Sequence, residues 1–143
     1  MKLVAKKILM MKDGEYESQE LCATPGGCSM NTCRAANFYF QGLDDQKYSN
    51  KCITLGSIGK DSAGELIQKQ LEDEKIINYL YVDEEAMTGS CAVTVVDADR
   101  TCIAVLDACE KYPADHLSSI LEKPEIQFSK VFYSTAFFIE ANY

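Results

Sequence analysis

The chain has 143 residues, 47% of them hydrophobic, and a formal net charge of -8. That length suits one compact domain and leaves no room for two full ones. The acidic balance argues against a nucleic-acid partner, which calls for a basic surface, and no run of about 18 apolar residues offers a membrane span.

The first residues, Met1 to Lys7, carry lysines without a signal-peptide apolar core behind them, so a soluble, unexported, cytoplasmic chain is expected. The seven cysteines are odd in number and contain no Cys-x-x-Cys pair, which predicts reduced thiols rather than a disulfide framework. The only histidine, His116, sits in a polar segment away from any cysteine pair, so no metal site is expected.

In chain order, Leu3, Ile8, Leu9 and Met10 suggest a short helix, ended by the turn-former Asp13-Gly14. Thr24-Pro25-Gly26-Gly27 reads as a tight turn. Ser29 to Phe40 follows as a helix with Met30, Cys33, Ala36 and Phe40 at helical spacing, closed by Gly42. Lys51 to Ile58 is β-prone, and Gly56 and Gly59 close it. Asp61 can cap the next helix, whose Ala63, Leu66, Ile67 and Leu71 form one buried face; strand, turn and helix make a βα unit.

Strands are then predicted at Tyr79 to Val82, Ser90 to Val96 and Thr101 to Leu106, the last two joined as an antiparallel hairpin by Asp97-Ala98-Asp99-Arg100. A helix near Pro113 to Leu121 buries Leu117, Ile120 and Leu121, with Pro124 beyond its end. Val131-Phe132-Tyr133 reads as a buried strand, and Phe137 and Phe138 alternate across strand structure after it. The expected fold is therefore an α/β sheet with a small β excursion. A chain that stops soon after a buried strand looks cut, and its exposed sheet edge is expected to promote association.

Chemistry concentrates at a few points. Pro25-Gly26-Gly27 entering a helix brings backbone close and aims free N–H groups outward, and Asn31, one turn in, both donates and accepts; the same glycines also suit a plain turn. Gly56-Ser57-Ile58-Gly59-Lys60-Asp61-Ser62-Ala63-Gly64 matches neither a dinucleotide fingerprint nor a phosphate-binding Walker loop, and reads as a tight βα turn in which Gly64 allows close packing. Arg100 at the hairpin is a guanidinium able to steady a phosphate, or simply solvated. Cys91 has no histidine partner nearby and reads as a small hydrophobe.

Four segments, Pro25-Gly26-Gly27-Cys28-Ser29-Met30-Asn31, Gly56 to Asp61 with Gly64, Thr88-Gly89-Ser90-Cys91-Ala92, and Ala136-Phe137-Phe138, resemble in order and spacing the adenosine kinases of the ribokinase (PfkB) family. The Thr-Gly-Ser-Cys-Ala strand followed by Arg100 is similar to the adenosine kinase branch in particular. The resemblance implies ATP-dependent phosphorylation of the adenosine 5'-hydroxyl, on a partial ribokinase-like Rossmann-type sheet with a small β lid hairpin. Residues 1–143 would form an incomplete nucleoside-binding domain with lid strands at about 79–106. It places Gly26, Gly27, Cys28 and Asn31 on the substrate side, with Gly27 and Asn31 at ribose hydroxyls. Cys91, Cys102, Ala104 and Phe137 would line the nucleoside pocket, and Arg100 would meet the transferring phosphate. Cys28 stands where the family usually has serine.

ATP and Mg²⁺ are the implied cofactors of a complete enzyme, and neither is expected to bind this chain tightly. The family's Gly-Asn strand with a ribose-binding aspartate, its Asn-x-x-Glu and its Gly-Ala-Gly-Asp with the catalytic base do not occur in the sequence. The isolated chain is therefore expected not to turn over. Two other readings stay open: a kinase of the same family for another sugar or nucleoside, and a non-catalytic interaction subunit built on half the fold.

Overall fold

The computed structural model describes residues 2–7, 9–12, 15–18, 22–48, 51–96 and 99–141. It is a mixed α/β fold in which a four-stranded sheet adjoins a βαβ unit.

The N-terminal stretch is strand, not the helix its apolar residues suggest: β1 (Lys2–Lys7) pairs on both sides, antiparallel with β4 (Cys22–Gly26) and parallel with β7 (Gly89–Val96). Six residues are too few to hold a helix by themselves, and two flanking ladders decide the matter. The hairpin of β2 (Leu9–Lys12) and β3 (Glu15–Ser18) pairs Lys12 with Glu15, which leaves a two-residue link; the Asp13-Gly14 turn itself lies outside the described residues.

The segment expected as a tight turn at Thr24 to Gly27 is also mostly strand, with Pro25 opposite Leu3. Proline is tolerated there because β4 is an edge of the sheet order β4-β1-β7-β8. Only Gly27 turns, at φ 118°, in the left-handed region that glycine enters without a Cβ penalty.

Helix α1 (Cys28–Tyr48) runs past Gly42, where the sequence suggested its end. An interior glycine costs about 1 kcal/mol but does not stop a helix. The break comes at Asp44, whose backbone is extended (φ -169°, ψ 102°) and whose carboxylate accepts the Lys47 amide at 3.1 Å to start a last turn.

Strand β5 (Ile53–Gly59) lies parallel to β6 (Ile77–Asp83), and α2 (Ser62–Asp73) crosses between them. Asp61 caps α2 as expected, accepting the Gly64 amide at 2.8 Å. Ile67 and Leu71 are buried, whereas Leu66 is 38% exposed. Met30 of α1 joins Ile58, Ile67, Leu71 and Ile76 in one apolar core, with Cys33 and Leu80 packed against it. Gly64 is required there: a Cβ would stand 2.4 Å from the Gly59 carbonyl.

The hairpin of β7 with β8 (Asp99–Val105) is antiparallel, as read, while Asp97-Ala98 of its turn lie outside the described residues. A 3-10 turn (Asp107–Glu110) and α3 (Ala114–Leu121) follow, and α3 buries Ile120 but leaves Leu121 50% exposed. Pro124 opens a further short helix, α4 (Pro124–Gln127). His116 packs edge-on against Tyr81 and Tyr112, with ring centroids at 5.4 and 5.5 Å.

Two expectations near the end fail. Val131, Phe132 and Tyr133 form no strand and are 84, 72 and 59% exposed; a continuous apolar run makes a buried strand only where a neighbour offers a ladder. Phe137 and Phe138 lie in helix α5 (Ala136–Ala141), not a strand, consistent with flanking alanines and Glu140 that favour helix.

Candidate functional site

Helix α1 begins directly after Gly27, and its first α-helical bond runs from the Asn31 amide to the Gly27 carbonyl at 2.8 Å. The amides ahead of it have no acceptor within the helix and open on the end of β4. Met30 and Asn37 hold the other side of the helix inward at 1 and 2% exposure, so Cys28 and Asn31 face outward. Among the described residues nothing hydrogen-bonds the Asn31 side chain.

Pairing register sorts the remaining candidates. Lys2 pairs with both Gly26 and Gly89, Cys91 pairs with Ala104, Val93 with Cys102, and Val95 with Arg100. Directly paired residues share a face and every second residue returns to it. Gly26, Cys91, Cys102, Ala104 and Arg100 therefore occupy one face of the sheet, and Ser90, Ala92, Ile103 and Val105 the other. Cys91 is half-buried rather than fully buried, and Cys102, Ala104 and Arg100 are exposed.

Along that face the candidates divide. Cys91 and Ala104 lie one step from the row of Gly26 and Gly89, near the start of α1. Arg100 is six residues further along β7 and β8 from that row, roughly 20 Å at strand rise. The sheet thus joins Gly26, Cys91 and Ala104 to Gly27 and Asn31, and keeps Arg100 at its far tip. Phe137 falls on α5, beside the 3-10 turn that ends β8.

The junction between sheet and βαβ unit contains groups that the sequence reading left as plain turn. Asp61 accepts the Thr88 hydroxyl at 2.6 Å and the Thr88 amide at 2.8 Å, besides capping α2. The Thr88 hydroxyl in turn accepts the Gly59 amide at 2.9 Å. Burial pushes the Asp61 carboxyl up, but the bonds from Thr88, Gly64 and Ala63 outweigh it and hold the group below the ordinary aspartate range. In the 3-10 turn after β8, Asp107 accepts the Met87 amide at 2.8 Å. Thr88 carried a sequence signal, its place in Thr88-Gly89-Ser90-Cys91-Ala92, but its partner lies 27 residues away.

Elsewhere, a shallow groove of roughly 210 Å³ is lined by Arg34, Asn37, Phe38, Gln41 and Glu74, where Arg34 clasps Glu74. Cys33 and Cys52 adjoin each other under α1; burial first, then the neighbouring thiol, pushes Cys33 up to about 12, which leaves it a poor nucleophile. Among the described residues no group of three or more His, Cys, Asp or Glu is arranged to hold a metal, and no helix is long and apolar enough to cross a membrane.

The chain is 35% identical to adenosine kinase 2 of Arabidopsis thaliana over 118 residues, which is 80% of this chain and 31% of that protein. It is 30% identical to adenosine kinase 1 of the same plant over 141 residues, 96% of this chain and 38% of that protein. The chain spans about a third of the length of these curated relatives. Among solved structures, adenosine kinase from Anopheles gambiae superposes with a TM-score of 0.79 at 19% identity, covering 99% of this chain and 49% of that one. Ribokinase from Giardia lamblia gives 0.68 at 16% identity, covering 84% of this chain and 36% of that one. Adenosine kinase from Schistosoma mansoni in complex with adenosine gives 0.64 at 18%, covering 88% and 40%. The structural likenesses establish a ribokinase-like fold, present in part. A family model described as pfkB family carbohydrate kinase matches residues 3–141, and the chain belongs to that family.

Proposed function

We propose that this chain carries the nucleoside-binding side of an adenosine kinase acting in purine salvage in the cytoplasm, and that it binds adenosine without transferring phosphate by itself. The observation that supports this reading most is the common face of Gly26, Cys91, Cys102 and Ala104, with Gly26, Cys91 and Ala104 at its end near the start of α1. Backbone donors and the Asn31 amide suit ribose hydroxyls, while small, weakly polar side chains leave room for the flat face of a base. The adenosine kinase relatives favour this substrate over a free sugar.

In this reading Arg100 meets the transferring phosphate when the sheet tip bends over the site, and ATP and Mg²⁺ are held by residues other than those described. The sequence contains no Gly-Ala-Gly-Asp to supply a base for the 5'-hydroxyl, so positioning of adenosine is the part of the reaction assigned to this chain. Coupled measurement of ADP release with ATP, Mg²⁺ and adenosine, alongside equilibrium dialysis of adenosine against ribose, tests both halves. Retention of adenosine above ribose without turnover is expected. Equal retention of the two would remove the nucleoside assignment, and turnover well above a no-protein control would remove the division of labour.

A further inference from the structure

The four-stranded sheet meets the βαβ unit at three chain crossings among the described residues: Gly27, the segment 84–88, and the segment 105–107. The first is a lone left-handed glycine with no side chain to fix it. The other two are tied by carboxylates, and the pattern of those ties is more than local capping requires.

A helix cap needs one carboxylate oxygen, and in Asp61 that oxygen is Oδ1, which accepts the Gly64 amide. Oδ2 accepts the Thr88 amide, and Oδ1 takes the Thr88 hydroxyl as a second donor. Thr88, 5% exposed, immediately precedes β7, and its hydroxyl accepts from Gly59 at the end of β5. The chain there approaches so closely that a Cβ on Gly59 would stand 2.2 Å from the Ala86 carbonyl and 2.7 Å from the Thr88 nitrogen.

Asp107 completes the arrangement from the 3-10 turn that follows β8. It accepts the Met87 amide while the Met87 carbonyl accepts the Ala108 amide at 3.1 Å, so the outgoing and returning crossings are bonded to each other. Asp107 does this from a left-handed backbone (φ 39°), a conformation that costs free energy in a residue other than glycine and persists where its surroundings enforce it.

We propose that Asp61 is a positioning residue for the whole β4-β1-β7-β8 sheet: through Thr88, and with Asp107 acting through Met87, it anchors the β7–β8 hairpin to the β5–α2 turn. The part of the face that carries Cys91 and Ala104 is thereby held near the start of α1. Charge-assisted bonds to a half-buried carboxylate are strong enough for this, being roughly twice as strong as neutral ones.

Hydrogen exchange read by mass spectrometry on the 143-residue chain separates an anchor from a cap, and needs no ligand. Asp61→Asn is the informative change, because asparagine caps a helix as well as aspartate does but puts an N–H₂ where one of the two carboxylate oxygens accepted from Thr88. Exchange across residues 87–95 and 99–105 should rise about tenfold in Asp61→Asn and in Thr88→Val, with 65–73 of α2 unchanged, and Thr88→Ser should stay at the wild-type rate. Wild-type exchange in both strands for Asp61→Asn, or an equal rise throughout α2 and the strands, would overturn the anchor. If Thr88→Val fails to fold, Asp61→Asn and Asp107→Asn decide in the same way. Because no nucleoside is present, the result stands apart from the adenosine reading.

Discussion

Asn31 sits on the outward face of the first turn of α1, behind a glycine whose φ of 118° forces the chain to enter the helix sharply. Its side chain has no hydrogen-bond partner among the described residues, so it is not consumed in holding the Gly27 turn. That distinguishes two roles for it. A residue that braces the turn would lower stability when removed; one that meets a ligand would lower affinity. For Asn31→Ala in a protein that joins this chain to the remainder of the family fold, adenosine affinity should fall about tenfold to a hundredfold, the loss expected for an unpaired buried hydroxyl, with the melting temperature within a degree or two of wild type. Calorimetric titration beside thermal melts measures both. Unchanged affinity with a lowered melting temperature would return Asn31 to the turn.

At the scale of elements, α1 and α2 are joined at their flank by Arg34, whose Nε donates to both Glu74 oxygens at 2.9 and 2.7 Å, while Asn37 donates to the Glu74 carbonyl at 2.7 Å. The Arg34 guanidinium, against some burial and helped by Gln70, holds the Glu74 carboxyl below the ordinary glutamate range. A carboxyl lowered on folding adds stability above its unfolded value, near 4.5, and that contribution is lost as pH falls through the folded value. Glu74→Gln should therefore cost about 1 kcal/mol at pH 7, since the pair is partly screened, and the gap to wild type in urea unfolding should close as the pH drops below about 4. A gap independent of pH would show that packing, not charge, ties the helices. These same elements show what was legible in the sequence. β5, α2 and the β7–β8 hairpin were readable because their apolar spacing or their turn residues are local, and Asp61 as a cap is a local signal too. The N-terminal strands were not, since β1 becomes a strand only by pairing with residues about 16 to 24 positions away on one side and more than 80 on the other. Val131-Phe132-Tyr133 misled for the converse reason, having strand composition without a partner ladder. Of the candidate site, Gly27 and Asn31 were singled out by a glycine pair ahead of a helix start, whereas the Asp61–Thr88 contact was not, because a hydrogen bond across 27 residues leaves no periodic trace.

For the molecule as a whole, the balance between charge and exposed apolar surface decides its behaviour in solution. Phe38, Phe128, Val131 and Phe132 are 80, 80, 84 and 72% exposed, and β8 is exposed along its entire length. The β5–β6 pair is a two-stranded parallel sheet whose outer edges have no ladder among the described residues, although parallel sheets ordinarily lie inside larger covered ones. Both features favour association. Opposing them is a net charge of -8, which repels like copies. The two terms differ in range and in response to salt. At about 0.15 M the repulsion is screened beyond about 8 Å, whereas burying about 800 Å² on each partner, even partly apolar, contributes several kcal/mol that salt does not weaken. Association should therefore win at micromolar concentration and strengthen as salt is raised. Sizing chromatography coupled to light scattering, run from low salt to about 0.5 M, should show a shift from smaller to larger species, the reverse of a complex held by ion pairs. Val131→Ser with Phe132→Ser should move the distribution toward monomer, since those side chains give up little intramolecular packing when made polar. A monodisperse monomer at every salt concentration, unfolding in a single cooperative step, would show that the 143 residues cover their own apolar surface and that the open edges of β5 and β6 attract no partner.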